Sequence, residues 1–437
     1  ITPNAGIDEA NGQAGGTALD FDGSDEVELE YSLRILGEDV LNNDTIQLRV
    51  KGLDTYTNTP TITVEDCTFH RYRKITIESS QVEADLTDFP VMIKITGTDF
   101  QGIEDDVTDA DGDDIIFRPY LKVGQLDHEI EVYDEDNDIL VAWVRIPSLS
   151  SSSDTDIYMY YGNACISSST QDAPGVWSNG YEAVYHLHDD WNDSTGSHNA
   201  TGGQTQGYVS GQIANGVDFE GGSSDYIDIG TWSVSGDELT LQAWVQYESF
   251  ADTQTILDKS SGTSANNYVW NLSTDRAGSN YRARYYMPSS VLFGSATFST
   301  TTWYMVVGKY DGTASRKYIR IDNAADNDSA QSGNLTENTN QVRIGDHATG
   351  GDQPFDGVID EVRISSTARS NAWLNTEYNN HSNPATFFTL GPETPATAVK
   401  LLRFEARGDG DDVSVEWETA HEIGNMGFYL YRSEYPG

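Results

Sequence analysis

Carboxylates and aromatics are the residues of this sequence whose types and spacing could do chemistry. Asp109-Ala-Asp111-Gly-Asp113-Asp114 places Asp at alternate positions, and Asp134-Glu-Asp136-Asn-Asp138 is a second acidic run. An EF-hand loop starting at Asp109 would need Gly where Asp114 stands and Glu where Tyr120 stands, so that loop is excluded. The first run then reads as an acidic turn and the second as a hairpin tip. A third run, Asp189-Asp190-Trp191-Asn192-Asp193-Ser194, sets hard oxygen donors beside an indole. Trp191, Trp232, Tyr268, Tyr285 and Tyr286 stand near turn signals, where a ring can stack on a pyranose while Asp and Asn accept its hydroxyls. The competing role for each is core packing. No Gly-x-Ser-x-Gly elbow, His-Glu-x-x-His helix or phosphate loop occurs, and the expectation is a protein that is not an enzyme.

Charge narrows the partners. The 437 residues carry 25 Lys plus Arg against 70 Asp plus Glu, a formal charge of −45. Such a surface repels nucleic acid and anionic membrane. A salt-adapted proteome, a calcium-rich extracellular setting and plain solubilisation all remain open as reasons for it. No run approaches a transmembrane span, so direct membrane insertion is not expected. The chain opens on Ile1 without a basic, apolar leader and reads as a processed or excised piece.

The elements that must position these residues are strands. Leu239 to Val245, Trp303 to Tyr310, Tyr318 to Asp322 and Phe355 to Ile364 alternate apolar and polar residues, with Gly, Asn, Asp and Ser between. That is β-sandwich spacing. A chain this long is expected to divide into several domains. Residues 1–65 give strands at Glu26 to Ile35, Thr45 to Val50 and Thr59 to Val64 and read as a partial immunoglobulin-like module. Residues 66–166 form a second β-sandwich, residues 174–393 the large sandwich, and 394–437 three further strands around Trp417. Cys67 and Cys165 stand just outside the two ends of the strand-bearing stretch of the second unit, 68–163. A disulfide between them is expected, with two unrelated thiols as the alternative; a bond would place the protein outside a reducing cytosol.

Gly216 to Phe219, Leu239 to Val245, Trp303 to Gly312 and Phe355 to Ile364, followed by the amphipathic Ser370 to Tyr378, resemble the laminin-G-like (concanavalin A-like) jelly-roll family. Over 66–166, Leu86-Thr-Asp-Phe-Pro-Val91, Ala142-Trp-Val144 and Tyr160-Tyr-Gly-Asn163 resemble a family of unknown function that precedes such domains in bacterial and archaeal surface proteins. Residues 394–437 resemble the first strands of a fibronectin type III module. The fold class implied is all-β, tandem sandwiches around a central jelly roll.

The jelly-roll resemblance implies that Asp189 and Asp193 come together with Asp360 near the closing strand, a hard-ligand set for Ca²⁺. The alternative is that Asp360 pairs with Arg363 while Asp193 caps a turn. Trp191, Tyr285 and Tyr286 are the candidate glycan contacts. The family also includes glycosidases, but the Glu-x-Asp-x-x-Glu pattern of the laminarinase-like branch is absent. The expected function is a non-catalytic structural or adhesive protein of a prokaryotic cell surface. It would assemble head to tail into a filament by strand exchange, with a glycan or a surface protein as a further partner. A lectin-like module set is the alternative, and a glycoside hydrolase the next.

Overall fold

Alternation along Leu86–Thr96 and Ile139–Leu149 sends Val91, Ile93, Ile95, Leu140, Ala142 and Val144 into one core and Met92, Val141 and Trp143 into another. The sheet these strands form with His128–Asp134 is therefore buried on both faces. The structure is a computed structural model. It describes residues 45–47, 61–63, 69–104, 106–119, 124–250, 252–262, 267–350, 353–396, 399–409 and 412–422.

Residues 71–162 and 166–394 make one compact unit. Its first part packs the three-stranded sheet against a four-stranded one containing Arg71–Ile77, Thr155–Tyr161 and Ile116–Arg118. The edge strand of that second sheet is Phe388–Pro395, from beyond the jelly roll. A sequence boundary at 166–174 gives no sign of this return.

The jelly roll is a sandwich of a seven-stranded and an eight-stranded antiparallel sheet. At the centre of the eight-stranded sheet, Gly357–Ser365 is buried along its whole length. Its pairing with Glu238–Tyr247 shifts register between Gln242, opposite Arg363, and Trp244, opposite Asp360. Glu361 and Val362 thus share the single partner Ala243, and Glu361 takes a left-handed φ of 52°. A bulge of this kind resets which face each residue meets. Ile359, Val362 and Ile364 enter the jelly-roll core, while Asp360, Glu361 and Arg363 face the other way. Beyond that face, Val184 and Ile213 of the jelly roll pack on Met92, Val141 and Trp143. The helix Asn371–Ser382 covers the rest, capped by Ser370 Oγ accepting from the Trp373 amide at 3.0 Å. Its Asn380 pairs through its side chain with both backbone polar groups of Met92.

The segments Thr45–Gln47 and Thr61–Thr63 pair antiparallel, as do Val399–Asp409 and Asp412–Glu422. The expected strands at Glu26 to Ile35 and Gly427 to Arg432, and Cys67, lie outside the described residues.

Candidate functional site

The bulged strand delivers charges to a dry seam between the two sandwiches. Glu129 and Glu131 both reach the seam from His128–Asp134, whose pairing with Ile139–Leu149 shifts register at Glu131, between Ile130 and Val132. His186 follows the strand Tyr181–Tyr185, which pairs with Gly357–Ser365. His186 Nδ1 lies 2.6 Å from Glu361 Oε1 and 3.6 Å from Glu131 Oε2, and its Nε2 lies 3.3 Å from Glu129 Oε2. Trp143 Nε1 donates to Glu131 Oε2 at 2.8 Å and Trp177 Nε1 to Glu129 Oε2 at 2.6 Å. Ser194 Oγ donates to Glu129 Oε1 at 2.6 Å. Arg363 donates to Glu361 Oε2 at 2.6 Å and to Glu377, and its guanidinium lies over the rings of Trp143 and Trp177.

The electrostatics follow from burial and sign. Burial disfavours the His186 cation, but Glu361, Glu129 and Glu131 outweigh it and hold the imidazolium well above its ordinary pKa. Burial also works against ionised Glu129, yet the His186 charge and the bonds from His186, Ser194 and Trp177 keep its carboxyl low. Burial and the neighbouring Glu361, against the His186 charge, push Glu131 up to about 7. Asp360 is raised well above the carboxylate range by burial and then by Glu361 and Glu131. His381, buried and facing Arg363 and His186, is driven well below its ordinary value and accepts from Trp244 Nε1 at 3.2 Å. Five carboxylates (Glu129, Glu131, Asp360, Glu361, Glu377) thus face four cations, His186, Arg363, Arg369 and the half-buried Lys94. Fully ionised, the seam would carry one excess negative charge, in line with the upward shifts of Glu131 and Asp360.

The predicted site residues lie elsewhere or act differently. Asp193 is buried, and its two oxygens accept from the amides of Val184, Thr195, Ser197 and His198 and from Thr195 Oγ1, so it fastens its own turn. Asp360 Oδ2 accepts from the amides of Gln212 and Ile213. Asp189 is 74% exposed and pairs with His188 at 3.0 Å. Among the described residues the carboxylate and histidine groups close enough to share an ion are Glu131, His186 and Glu361, and Asp218, Glu220 and Glu248; neither includes Asp189, Asp193 or Asp360. Arg363 pairs with Glu361 and Glu377 instead of Asp360.

Tyr285 is a correction. It is fully buried in the jelly-roll core beside Ala283 and Met287, the same face of its strand, and offers no ring to a ligand. Trp191 packs half-buried on that core. Tyr286 faces outward, stacked on Tyr268 at 4.4 Å with the Arg284 guanidinium 5.0 Å from its ring centre. Trp232 stacks on His198 and donates to the Ile229 carbonyl. The acidic runs are turns: Asp109 Oδ1 accepts from the amides of Asp111 and Asp113, and Asp134 from Asn137.

Tyr286 belongs to a polar face of the seven-stranded sheet that sequence reading missed apart from its two tyrosines. Asp258 accepts from Asn271 Nδ2 at 2.9 Å, Ser260 Oγ at 2.6 Å and the Ala348 amide at 2.8 Å. Arg284 donates to Ser273 Oγ at 2.9 Å and Gln353 Oε1 at 2.8 Å. Tyr226, with Arg343 over its ring at 4.1 Å, lies further across the same sheet. Half-buried aromatics flanking a fixed polar strip can take a sugar ring.

Residues 220–389 match the family model of the concanavalin A-like lectin/glucanases superfamily, and residues 111–201 that of a domain of unknown function (DUF2341). The chain contains both domains, and the two matched segments meet at the seam: Glu129, Glu131, Trp143, Trp177 and His186 fall in one, Glu361, Arg363 and Glu377 in the other. Neither match reaches 394–437. No curated protein matches the chain. Domain 4 of AbnA, an extracellular GH43 arabinanase from Geobacillus stearothermophilus solved with arabinotriose, is 20% identical over 46% of this chain and 98% of its own, with a TM-score of 0.39. The CBM40 of the Ruminococcus gnavus IT-sialidase, bound to α2,3-sialyllactose, is 17% identical over 32% and 82%, with a TM-score of 0.28. A SAP-like pentraxin from Limulus polyphemus is 13% identical over 34% and 73%, with a TM-score of 0.30. These likenesses concern the sandwich fold alone.

Proposed function

We propose that this chain is a non-catalytic adhesive or structural module of an extracellular, prokaryotic cell-surface protein, in which the sandwich of residues 71–161 braces the jelly roll. The observation that carries this reading is the continuity of the core. Trp244, Met305 and Val307 of the jelly-roll sheet and Trp373, Leu374 and Phe387 pack with Ile75, Phe89, Val91 and Phe100 in one apolar cluster. Phe388–Pro395 then closes the first sandwich's sheet, so neither part can separate without opening apolar surface and breaking a strand pair. A spacer that transmits force needs this property, whereas independent beads on a linker lack it. Stretched between its ends by single-molecule force spectroscopy, the unit spanning 71–394 is expected to yield in one main step. Two well-separated steps, one for each sandwich, would defeat the proposal.

The polar face of the seven-stranded sheet supports a second reading, glycan binding. A glycan array is expected to give selective signals that Tyr286→Ala abolishes without lowering the melting temperature. Signals no different from background would leave only the spacer role. Head-to-tail self-association through the terminal β-segments belongs to the same proposal. Light scattering would discard it if the chain stays monomeric at high concentration. The Cys67–Cys165 disulfide would support the extracellular placement, and mass spectrometry without reductant detects it as a loss of both thiols.

A further inference from the structure

The seam cluster holds more negative charge than its cations match, and its members are arranged in a particular way. His186 Nδ1 and Glu361 Oε1 meet at 2.6 Å, and Glu131 Oε2, which also accepts from Trp143, lies 3.6 Å from the same nitrogen. His186 Nε2 is held by Glu129, leaving Nδ1. Glu361 Oε2 is held by Arg363, leaving Oε1. Glu131 Oε2 is held by Trp143, leaving Oε1, which has no hydrogen-bond partner although the side chain is 2% exposed. One donor atom from each of the three lies within 4.8 Å of the others. Asp360 Oδ1, on the same bulge and fully buried, is also without a partner.

We propose that this seam is a metal site, in which a divalent transition ion bound by His186 Nδ1, Glu361 Oε1 and Glu131 replaces the proton shared between His186 and Glu361. An outer carboxylate on the distal nitrogen of a ligating imidazole is how protein metal sites orient histidine, and Glu129 stands in that position. The donor set, one imidazole nitrogen among carboxylates, selects the class of ion. Imidazole suits Zn²⁺ and related first-row ions, carboxylate suits Mn²⁺, and Ca²⁺ takes oxygen ligands only. Binding releases the His186 proton and brings in two positive charges. A pocket of about 350 Å³ is lined by Glu131 together with Asp134, Glu135, Asp136, His188 and Asp189 among others. These residues form an acidic funnel for a cation. The ion would tie the two sandwiches together, since Glu131 comes from one and His186 and Glu361 from the other.

The test uses the full chain, stripped with chelator and titrated with Mn²⁺ by electron paramagnetic resonance and with Zn²⁺ by calorimetry. One equivalent is expected to bind, with release of protons and a rise in melting temperature. Glu131→Gln keeps the Trp143 bond and is expected to weaken binding at least tenfold while leaving the stripped protein's melting temperature near that of wild type. Glu129→Gln tests the outer partner and should weaken binding less. Glu248→Gln, in the second acidic group, should change nothing. The proposal fails if the folded, stripped wild type takes up neither ion, if Glu131→Gln binds as wild type does, or if Glu248→Gln removes the binding instead. Should Glu131→Gln fail to fold, proton release and the one-to-one stoichiometry of the wild type decide the matter. Uptake without proton release would contradict ligation by His186.

Discussion

The seam and the polar face of the seven-stranded sheet bury comparable polar side chains in the same molecule, but they balance them differently. On the sheet face, Asp258, Asn271, Ser273 and Arg284 have every buried side-chain polar atom paired, and two flanking arginines, Arg282 and Arg343, each leave Nε without a partner. In the seam, Glu131 Oε1, Asp360 Oδ1, Glu377 Oε2 and Arg363 Nε all lack one. A closed network costs little once formed and fixes a surface. An open, over-charged one stays sensitive to whatever supplies the missing charge. The first suits a platform, and the second suits a joint.

The sharpest way to break that contrast is to remove one cation from each. Arg363→Met leaves Glu361 and Glu377 buried without their partner and is expected to cost about 3–5 kcal/mol in chemical denaturation. Arg284→Met leaves the neutral acceptors Ser273 and Gln353 unsatisfied and loses only a long, 4.0 Å pairing with Asp275, and is expected to cost about 1–3 kcal/mol. Equal losses would mean that the two networks do not differ in kind. A smaller effect is expected away from both: Ser370→Ala removes the helix cap and should cost about 1 kcal/mol.

How much of this was legible in the sequence depends on which physical rule set each feature. The strands were legible because alternation survives wherever a sheet has a core on one side, and the jelly-roll motifs fell on the observed strands. The segment from Ser370 to Tyr378 was singled out as amphipathic through the family resemblance, and the structure makes it part of the helix Asn371–Ser382. Tyr285 could have been placed inside from the same rule, since Ala283, Tyr285 and Met287 share a parity. The seam was not legible. His128-Glu-Ile-Glu-Val reads as a strand with a wet acidic face, and only contact with a distant sheet shows that face to be dry. The bulge at Glu361 has no local signature, because a register shift is a property of two strands. Asp360 was singled out from that strand, whereas Glu361, which the bulge turns toward His186, was not. Trp143, Trp177 and His186 carried the available signal: large polar-tipped side chains next to apolar runs, where a buried N–H needs an acceptor.

The smallest expected effect separates the jelly roll's own sheets from the seam. Burial pushes Lys259 down to about 8 from an ordinary 10.5, although its ammonium donates to the carbonyls of Trp232 and Asn340. Between those values the unfolded chain binds more protons than the folded one, so this lysine makes stability rise with pH above about 8. Lys317, lowered to about 8 by the same cause, acts in the same direction. Lys259→Met should flatten the rise in melting temperature between pH 8 and 10, and an unchanged slope would show that the buried ammonium is not under strain.

The central claim is that residues 71–162 and 166–394 behave as one body through the seam. Native-state hydrogen exchange on the full chain tests it most directly, by comparing the slowest amides of Ile139–Leu149 with those of Gly357–Ser365. The account predicts one shared opening free energy for the two strands. It also predicts that both fall together in Arg363→Met. If Ile139–Leu149 opens several kcal/mol more easily than Gly357–Ser365, or if Arg363→Met loosens only one of them, the seam does not join the two sandwiches and the account is contradicted.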